Sequence, residues 1–281
     1  MRYLTKEWYR CMQNGGLDAG IRASKKAASF DESYFRSLYA RLEREWIERE
    51  RDIASVTFDE IYPEKYDPTE FADVDDTEGF CPMTEAEYAE MRELARAAFD
   101  ADRTAFDEAG SKAVFASVYR ENLAMLRRDL PQSICDIVAD MRVLALGVAS
   151  SEAKSAIAKY ARECRRRAER TLAEYDRAAK RISDVGEIGE RFSFHDARVI
   201  SCRRYGKNLV ISIDPSQSLT DVTRIVFSGV RVIEKPSRLV GAVWLYEELY
   251  RSERGFEVHA LLERAGELFY LTLECEAIAL S

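Results

Sequence analysis

The sequence predicts an α+β protein in which a helical N-terminal part is followed by a small antiparallel β sandwich or barrel domain. Two observations support this prediction. Apolar residues recur at helical spacing up to about residue 185, and after Gly186 and Gly189 they alternate with polar residues, as in strands with one buried face. At the usual domain size of about 100–200 residues, 281 residues fit two domains, which we place at residues 1–188 and 189–281.

The first two helices are predicted from the residues at their ends. Thr5 precedes a short amphipathic segment that Gly15 and Gly16 would stop. Asp31 can accept hydrogen bonds from the first-turn amides of a longer helix, whose apolar face carries several aromatic residues and ends near Ile53.

Further helices are predicted downstream. Thr84 and Glu87 form the capping box of a helix that Gly110 can terminate. Residues 131–147 are predicted to form the central, most buried helix, because its second half is apolar all round. The longest helix opens at Ser151 and carries a seam of small and apolar residues in steps of four and three. This seam packs either on the chain's own helices, which we favour, or on a partner or a second copy.

About six short antiparallel strands are predicted in the last 90 or so residues. Alternating apolar residues mark the strands, and Gly229 allows a bulge between two of them. The dipeptides Arg254-Gly255 and Ala265-Gly266 are typical of hairpin turns.

Negative charge is concentrated in one part of the chain. Residues 55–109 hold 17 acidic and 4 basic side chains, whereas the whole chain has a net charge of −8. Within this part, residues 55–82 also contain three prolines and are predicted to form an acidic loop. The acids do not match the EF-hand pattern, so no metal site is predicted. We expect the loop to dock on a basic helix of the same chain or to attract a cationic partner.

Several classes of protein are excluded by what the sequence lacks. No two of the six cysteines form a CxxC motif, no N-terminal apolar signal is present and no apolar run approaches about 20 residues, so we predict a reduced, cytoplasmic protein that does not enter a membrane. The basic run 165–167 is interleaved with glutamates, so nucleic-acid binding is not predicted. Glycine-rich phosphate-binding patterns are missing, so no cofactor is predicted.

The two histidines of the chain are the candidates for catalysis. His195 precedes Asp196, and neighbouring residues on a strand point to opposite faces, so these two share a site only where the chain turns. His259 lies on the more polar face of a predicted strand, where we expect an exposed side chain. A metal-dependent hydrolase would need both histidines and a carboxylate brought together from distant strands.

Five stretches of the chain carry a family resemblance, namely residues 1–9, 130–134, 139–147, 194–199 and 244–248. They resemble an uncharacterised family of bacterial proteins, DUF4085, known only as a domain of unknown function. The resemblance implies a bacterial, soluble protein with helices followed by strands, and it implies no activity and no catalytic residues.

The sequence is therefore compatible with two functions. We favour a non-enzymatic protein-binding or regulatory module that recognises another protein through the acidic segment 55–82 or through the β domain. The alternative is a metal-dependent hydrolase that uses His195, Asp196 and His259. The oligomeric state is left open.

Overall fold

The computed structural model describes residues 1–65, 83–181, 187–236 and 238–281, and it confirms the α+β class. Helices dominate the N-terminal half, and the C-terminal part forms antiparallel strands. The helices are α1 Lys6–Asn14, α2 Glu32–Ser55, α3 Phe58–Ile61, α4 Glu85–Asp102, α5 Glu108–Asp129, α6 Gln132–Cys135, α7 Met141–Ala145, α8 Ser151–Arg181 and α9 Glu187–Arg191, with a 3-10 helix at Lys25–Ala28.

The chain divides into two compact units. Residues Met1–Gly20 and Lys154–Ser281 form one, which we call the β unit, and Ile21–Ala153 form the other, which we call the helical unit. The first 20 residues thus belong to the same unit as the strands. The two predicted domains, residues 1–188 and 189–281, would be parts of the chain that fold independently. This division into domains stays a prediction.

The β unit contains an eight-stranded sheet among the described residues, in the order β10-β5-β4-β3-β7-β8-β9-β6, with antiparallel pairing throughout. Its side chains enclose an apolar core that includes Phe194, Ile211, Phe227, Trp244 and Leu273. The strands are β3 Arg198–Tyr205, β4 Asn208–Asp214, β5 Arg224–Ser228, β6 Arg231–Glu234, β7 Val243–Ser252, β8 Gly255–Arg264, β9 Glu267–Cys275 and β10 Ala277–Leu280.

The predicted hairpin turns are confirmed, and the predicted number of strands is too low. Gly255 and Gly266 have φ values of +123° and +82° in the turns that join β7 to β8 and β8 to β9. The strand β3 was not predicted, because its alternation is broken by a bulge at Ile200 and by exposed arginines near its end. The strand β10 was not predicted either, because it is only four residues long.

The helical unit has a core cluster that includes Leu38 of α2, Phe115 of α5 and Val143 of α7. Two short strands, β1 Arg22–Ala23 and β2 Val148–Ala149, pair in parallel within this unit. Asp31 caps α2, as predicted, by accepting a hydrogen bond from the amide of Tyr34.

Two helix predictions in this unit are wrong. Residues 131–147 form the short helices α6 and α7 instead of a single helix, because Asp140 adopts an extended conformation and caps the start of α7. Its second half is nevertheless buried, as expected. Gly110 lies inside α5 and does not terminate α4, because the side chain of Asp107 caps the amide of Ala109 and starts a new helix there.

The predicted acidic loop 55–82 is described only as far as residue 65, and residues 66–82 lie outside the described residues. Within the described part, residues 58–61 form the helix α3, so the expectation of a continuous loop is wrong there. Asp59 of α3 forms ion pairs with Arg92 and Arg96 of α4. However, α4 carries six acidic and two basic side chains, so it is not a basic helix, and docking of the acidic loop on a basic helix stays a prediction.

The seam of α8 packs within the β unit. Ala161, Cys164 and Ala168 of α8 are buried, and the indole nitrogen of Trp8 in α1 donates a hydrogen bond to the carbonyl oxygen of Ala168 over 3.1 Å. Small residues let α1 come this close to the backbone of α8. None of the described helices is long and apolar enough to span a bilayer.

Candidate functional site

Three neighbouring polar side chains are buried on the face of β7, β8 and β9 that points away from the core. They are Glu248, His259 and Thr272, with relative exposures of 0%, 7% and 7%. Cross-strand pairing places them together, because His259 pairs with Glu248 on one side and with Thr272 on the other. Buried ionisable side chains are rare without partners.

Glu248 binds the first residues of the chain. Its two carboxylate oxygens accept hydrogen bonds from the backbone amides of Arg2, Tyr3 and Leu4 over 2.7, 2.8 and 2.6 Å. The hydroxyl of Tyr250 donates a fourth hydrogen bond over 2.8 Å. Burial, followed by the charge of Glu248, raises the pKa of Tyr250, so this hydroxyl keeps its proton and donates.

His259 lies beside this carboxylate, and both of its ring nitrogens have partners. Its Nδ1 is 2.9 Å from the amino group of Met1, and its Nε2 is 2.6 Å from a carboxylate oxygen of Glu257. Burial, followed by the positive amino group, lowers the pKa of His259. A neutral ring that accepts from Met1 and donates to Glu257 satisfies both contacts. The expectation of an exposed histidine on this strand is wrong.

Arg2 closes the cluster on its outer side. Its guanidinium donates to Glu257 over 2.8 Å and lies 4.1 Å from the centre of the Tyr250 ring. Together these contacts show that the cluster of Glu248, Tyr250, Glu257 and His259 holds residues 1–4 of the chain itself.

His195 and Asp196 come together at a turn before β3. Asp196 has a positive φ of +65°, and this turn brings its Oδ2 to 3.6 Å from Nε2 of His195. The other ring nitrogen, Nδ1, is hydrogen-bonded to the carbonyl oxygen of Leu245, so its orientation is fixed. Both side chains are about half exposed and line a cavity of about 450 Å³ with Ser193 and neighbouring polar residues.

His259 does not join this pair, since its partners in the structure are different residues from those of His195. In the part of the chain that the structure describes, no group of three or more His, Cys, Asp or Glu side chains could hold a metal ion. The geometric convergence that a metal-dependent hydrolase would need is therefore not seen for His195, Asp196 and His259.

Glu247 is an ionisable residue near His195 that was not among the predicted site residues. Burial raises its pKa to about 7, against the smaller opposing effects of hydrogen bonds from the Phe194 amide, the Trp244 indole and the Ser193 hydroxyl. The Trp244 bond measures 2.8 Å. The bulge in β7 between Trp244 and Tyr246 is the feature that turns Glu247 inward, and nothing in the sequence marks it.

This raised pKa makes stability depend on pH. The folded chain holds a proton on Glu247 between about pH 4.5 and 7 that the unfolded chain releases, so stability falls as the pH rises through this window. At 1.36 kcal/mol per pKa unit the loss amounts to ~3 kcal/mol. We expect the substitution Glu247→Gln to remove it.

Urea unfolding of both proteins from pH 4 to 8 measures this effect. The stability of Glu247→Gln relative to the unsubstituted chain should rise by ~3 kcal/mol between pH 4.5 and 7.5. The lowered pKa of His259 gives a slope of opposite sign below pH 6.5, but it is common to both proteins and cancels in the difference. A difference that does not change with pH would contradict the assignment.

One edge of the sheet also presents an unusual surface. The terminal strand β6 pairs with β9, and a bulge between Val232 and Glu234 leaves Ile233 outside the pairing and 53% exposed. The end of β3 adjoins it, since the guanidinium of Arg204 donates to the carbonyl oxygen of Val230 over 3.2 Å. We call Arg203, Arg204, Tyr205, Ile233 and Lys235, all exposed, the β6 surface.

The fold and these clusters define an α+β protein whose buried polar groups hold its own N-terminal residues. The model of a family described as a protein of unknown function, DUF4085, matches residues 110–270. Since this is more than half of the chain, the protein belongs to that family, which confirms the predicted family, whereas the bacterial origin stays a prediction. No curated protein and no solved structure matches the chain at a significant level.

Proposed function

We propose that the chain is a non-enzymatic protein-binding module that takes up an extended, acidic segment of a partner protein along the β6 surface. The observation that carries this proposal is the edge position of β6 together with the exposure of Ile233. A strand at the edge of a sheet leaves backbone groups free to pair with a further strand, and adjacent side chains give such pairing its specificity.

The charges around β6 favour an acidic partner. Arg203, Arg204 and Lys235 are exposed, β6 itself carries one acid, Glu234, and the arginine of β6, Arg231, is paired with Glu274 of β9. The arginines and Tyr205 are residue types enriched at protein interfaces, and Ile233 adds an exposed apolar side chain. A partner segment that alternates acidic and apolar residues would satisfy both the charges and the apolar side chain.

The contacts of the buried ionisable groups also support a binding role. Glu248 and His259 are engaged by residues 1–4 of the chain itself, so they hold structure together. The hydrolase alternative gains no comparable support from the described residues. The five described cysteines are free thiols, which supports the proposed cytoplasmic location.

Capture of proteins from a lysate of the encoding organism tests this proposal. The tagged chain should retain a partner at low salt and retain less of it at high salt, because charge attraction between exposed groups is screened. The substitution Ile233→Lys should reduce capture at least about tenfold, as expected for an interface residue worth more than ~1.4 kcal/mol.

The matched control is Leu219→Lys, which makes the same change at a fully exposed leucine elsewhere on the β unit and should leave capture unchanged. Capture of no protein at either salt concentration would count against a binding module. Equal capture by the Ile233→Lys chain would count against the β6 surface as its site.

A further inference from the structure

The helical unit contains a cavity of about 650 Å³ between α2, α4 and α5. Its walls are mainly apolar and aromatic, and they include Trp46, Phe99, Phe106, Ser111 and Val114. The volume lies within the range of about 300–1,000 Å³ that is usual for small-molecule sites.

Two buried polar atoms with no hydrogen-bond partner among the described residues belong to residues that line this cavity. They are the indole nitrogen Nε1 of Trp46 and the hydroxyl oxygen of Ser111. Leaving such a group unsatisfied costs about 1–3 kcal/mol, so native proteins rarely do so without a reason. The other two tryptophans follow the rule, since Trp8 donates to Ala168 and Trp244 donates to Glu247.

The chemistry of these two atoms specifies the occupant. An indole N–H can only donate, so the occupant must offer an acceptor, and a serine hydroxyl can donate to the same acceptor or accept from a neighbouring group. Three charged residues also line the cavity, namely the acids Glu50 and Asp107 and the base Arg103. Because both signs are present, the cavity favours neither an anion nor a cation.

We propose that this cavity binds a small, uncharged, mainly apolar molecule whose carbonyl or similar oxygen accepts hydrogen bonds from Trp46 and Ser111. The site lies in the helical unit and is independent of the β6 surface.

The neutral fluorophore 6-propionyl-2-(dimethylamino)naphthalene tests the proposal with the full chain. It is apolar, carries one ketone oxygen, and its emission shifts to shorter wavelength in apolar surroundings and to longer wavelength when the ketone accepts a hydrogen bond. We expect saturable binding with a blue-shifted emission, which a titration of the chain into the probe measures.

Matched pairs of substitutions on α5 locate the probe. Val114→Phe fills the cavity and should weaken binding at least tenfold, whereas Val118→Phe, on the same helix but outside the cavity lining, should leave it unchanged. Ser111→Ala should weaken binding about threefold to tenfold and shift the bound emission further to the blue. Ser117→Ala, which removes an exposed hydroxyl bonded to Glu121, should do neither.

Circular dichroism establishes that each variant is folded, and Ser111→Ala decides the question should Val114→Phe fail to fold. Absence of saturable binding would overturn the proposal and indicate a cavity filled by water alone. Binding that is equally strong in Ser111→Ala and its control, with the same emission, would overturn the assignment of Trp46 and Ser111 as the polar contacts.

Discussion

Replacing Glu248 with alanine is expected to lower the free energy of unfolding of the β unit by about 3–5 kcal/mol, the range measured when one partner of a buried charged network is removed. The carboxylate accepts three backbone N–H bonds from residues 2–4 and one hydroxyl bond from Tyr250. Alanine offers no acceptor, so these donors lose their partners and the first residues lose their attachment. Urea unfolding of the full chain, followed by circular dichroism, measures the loss.

Two further substitutions make this result specific. Glu253→Ala removes an exposed carboxylate in the turn after β7 and should change stability by less than about 0.5 kcal/mol. Glu248→Gln keeps the volume and one acceptor oxygen and should fall between the two. Amide hydrogen exchange at Arg2, Tyr3 and Leu4 should accelerate in Glu248→Ala. A loss below about 1 kcal/mol with unchanged exchange would show that Glu248 does not hold these residues.

Replacing Gly255 with alanine is expected to cost about 3 kcal/mol or more. Gly255 has a φ of +123°, and a Cβ atom there would lie 2.5 Å and 2.6 Å from the carbonyl oxygens of Glu276 and Cys275. These are backbone atoms of the segment that leads from β9 into β10, so they cannot move aside as a flexible side chain can.

Gly266→Ala is the matched control for this prediction. Gly266 also has a positive φ, +82°, in a hairpin turn of the same sheet, but no atom lies within 4 Å of its added Cβ. Only the backbone strain remains, which costs about 1–2 kcal/mol. Thermal and urea unfolding of both variants measure the two losses of stability. The difference between them is the contribution of the steric clash at Gly255. Equal losses in the two variants would contradict the close approach of the chain at Gly255.

Features that depend on neighbouring residues were predictable from the sequence. The caps at Thr5, Asp31 and Thr84 and the hairpin glycines act over a few residues, so their signals are local and the structure confirms them. Predictions failed where two local signals competed. Asp140 interrupts a run of apolar residues that otherwise predicts one helix. Asp107 caps the start of α5, so Gly110 lies inside α5 and does not end α4.

The polar clusters could not be predicted, because their members are far apart in the chain. Glu248 is separated from its partners in residues 2–4 by 244 to 246 positions, and His259 from Met1 by 258. Alternation on β8 correctly gave the face on which His259 lies, but it could not show that the N-terminal residues cover this face. The proximity of His195 and Asp196 likewise depended on a turn that the sequence left open.

Photo-crosslinking from the β6 surface tests the proposed function most directly. A benzophenone amino acid placed at position 233 should give a covalent adduct with a partner protein in a lysate, whereas the same amino acid at position 219 should give none. An adduct from position 219 alone, or none from either position, would contradict protein binding along β6.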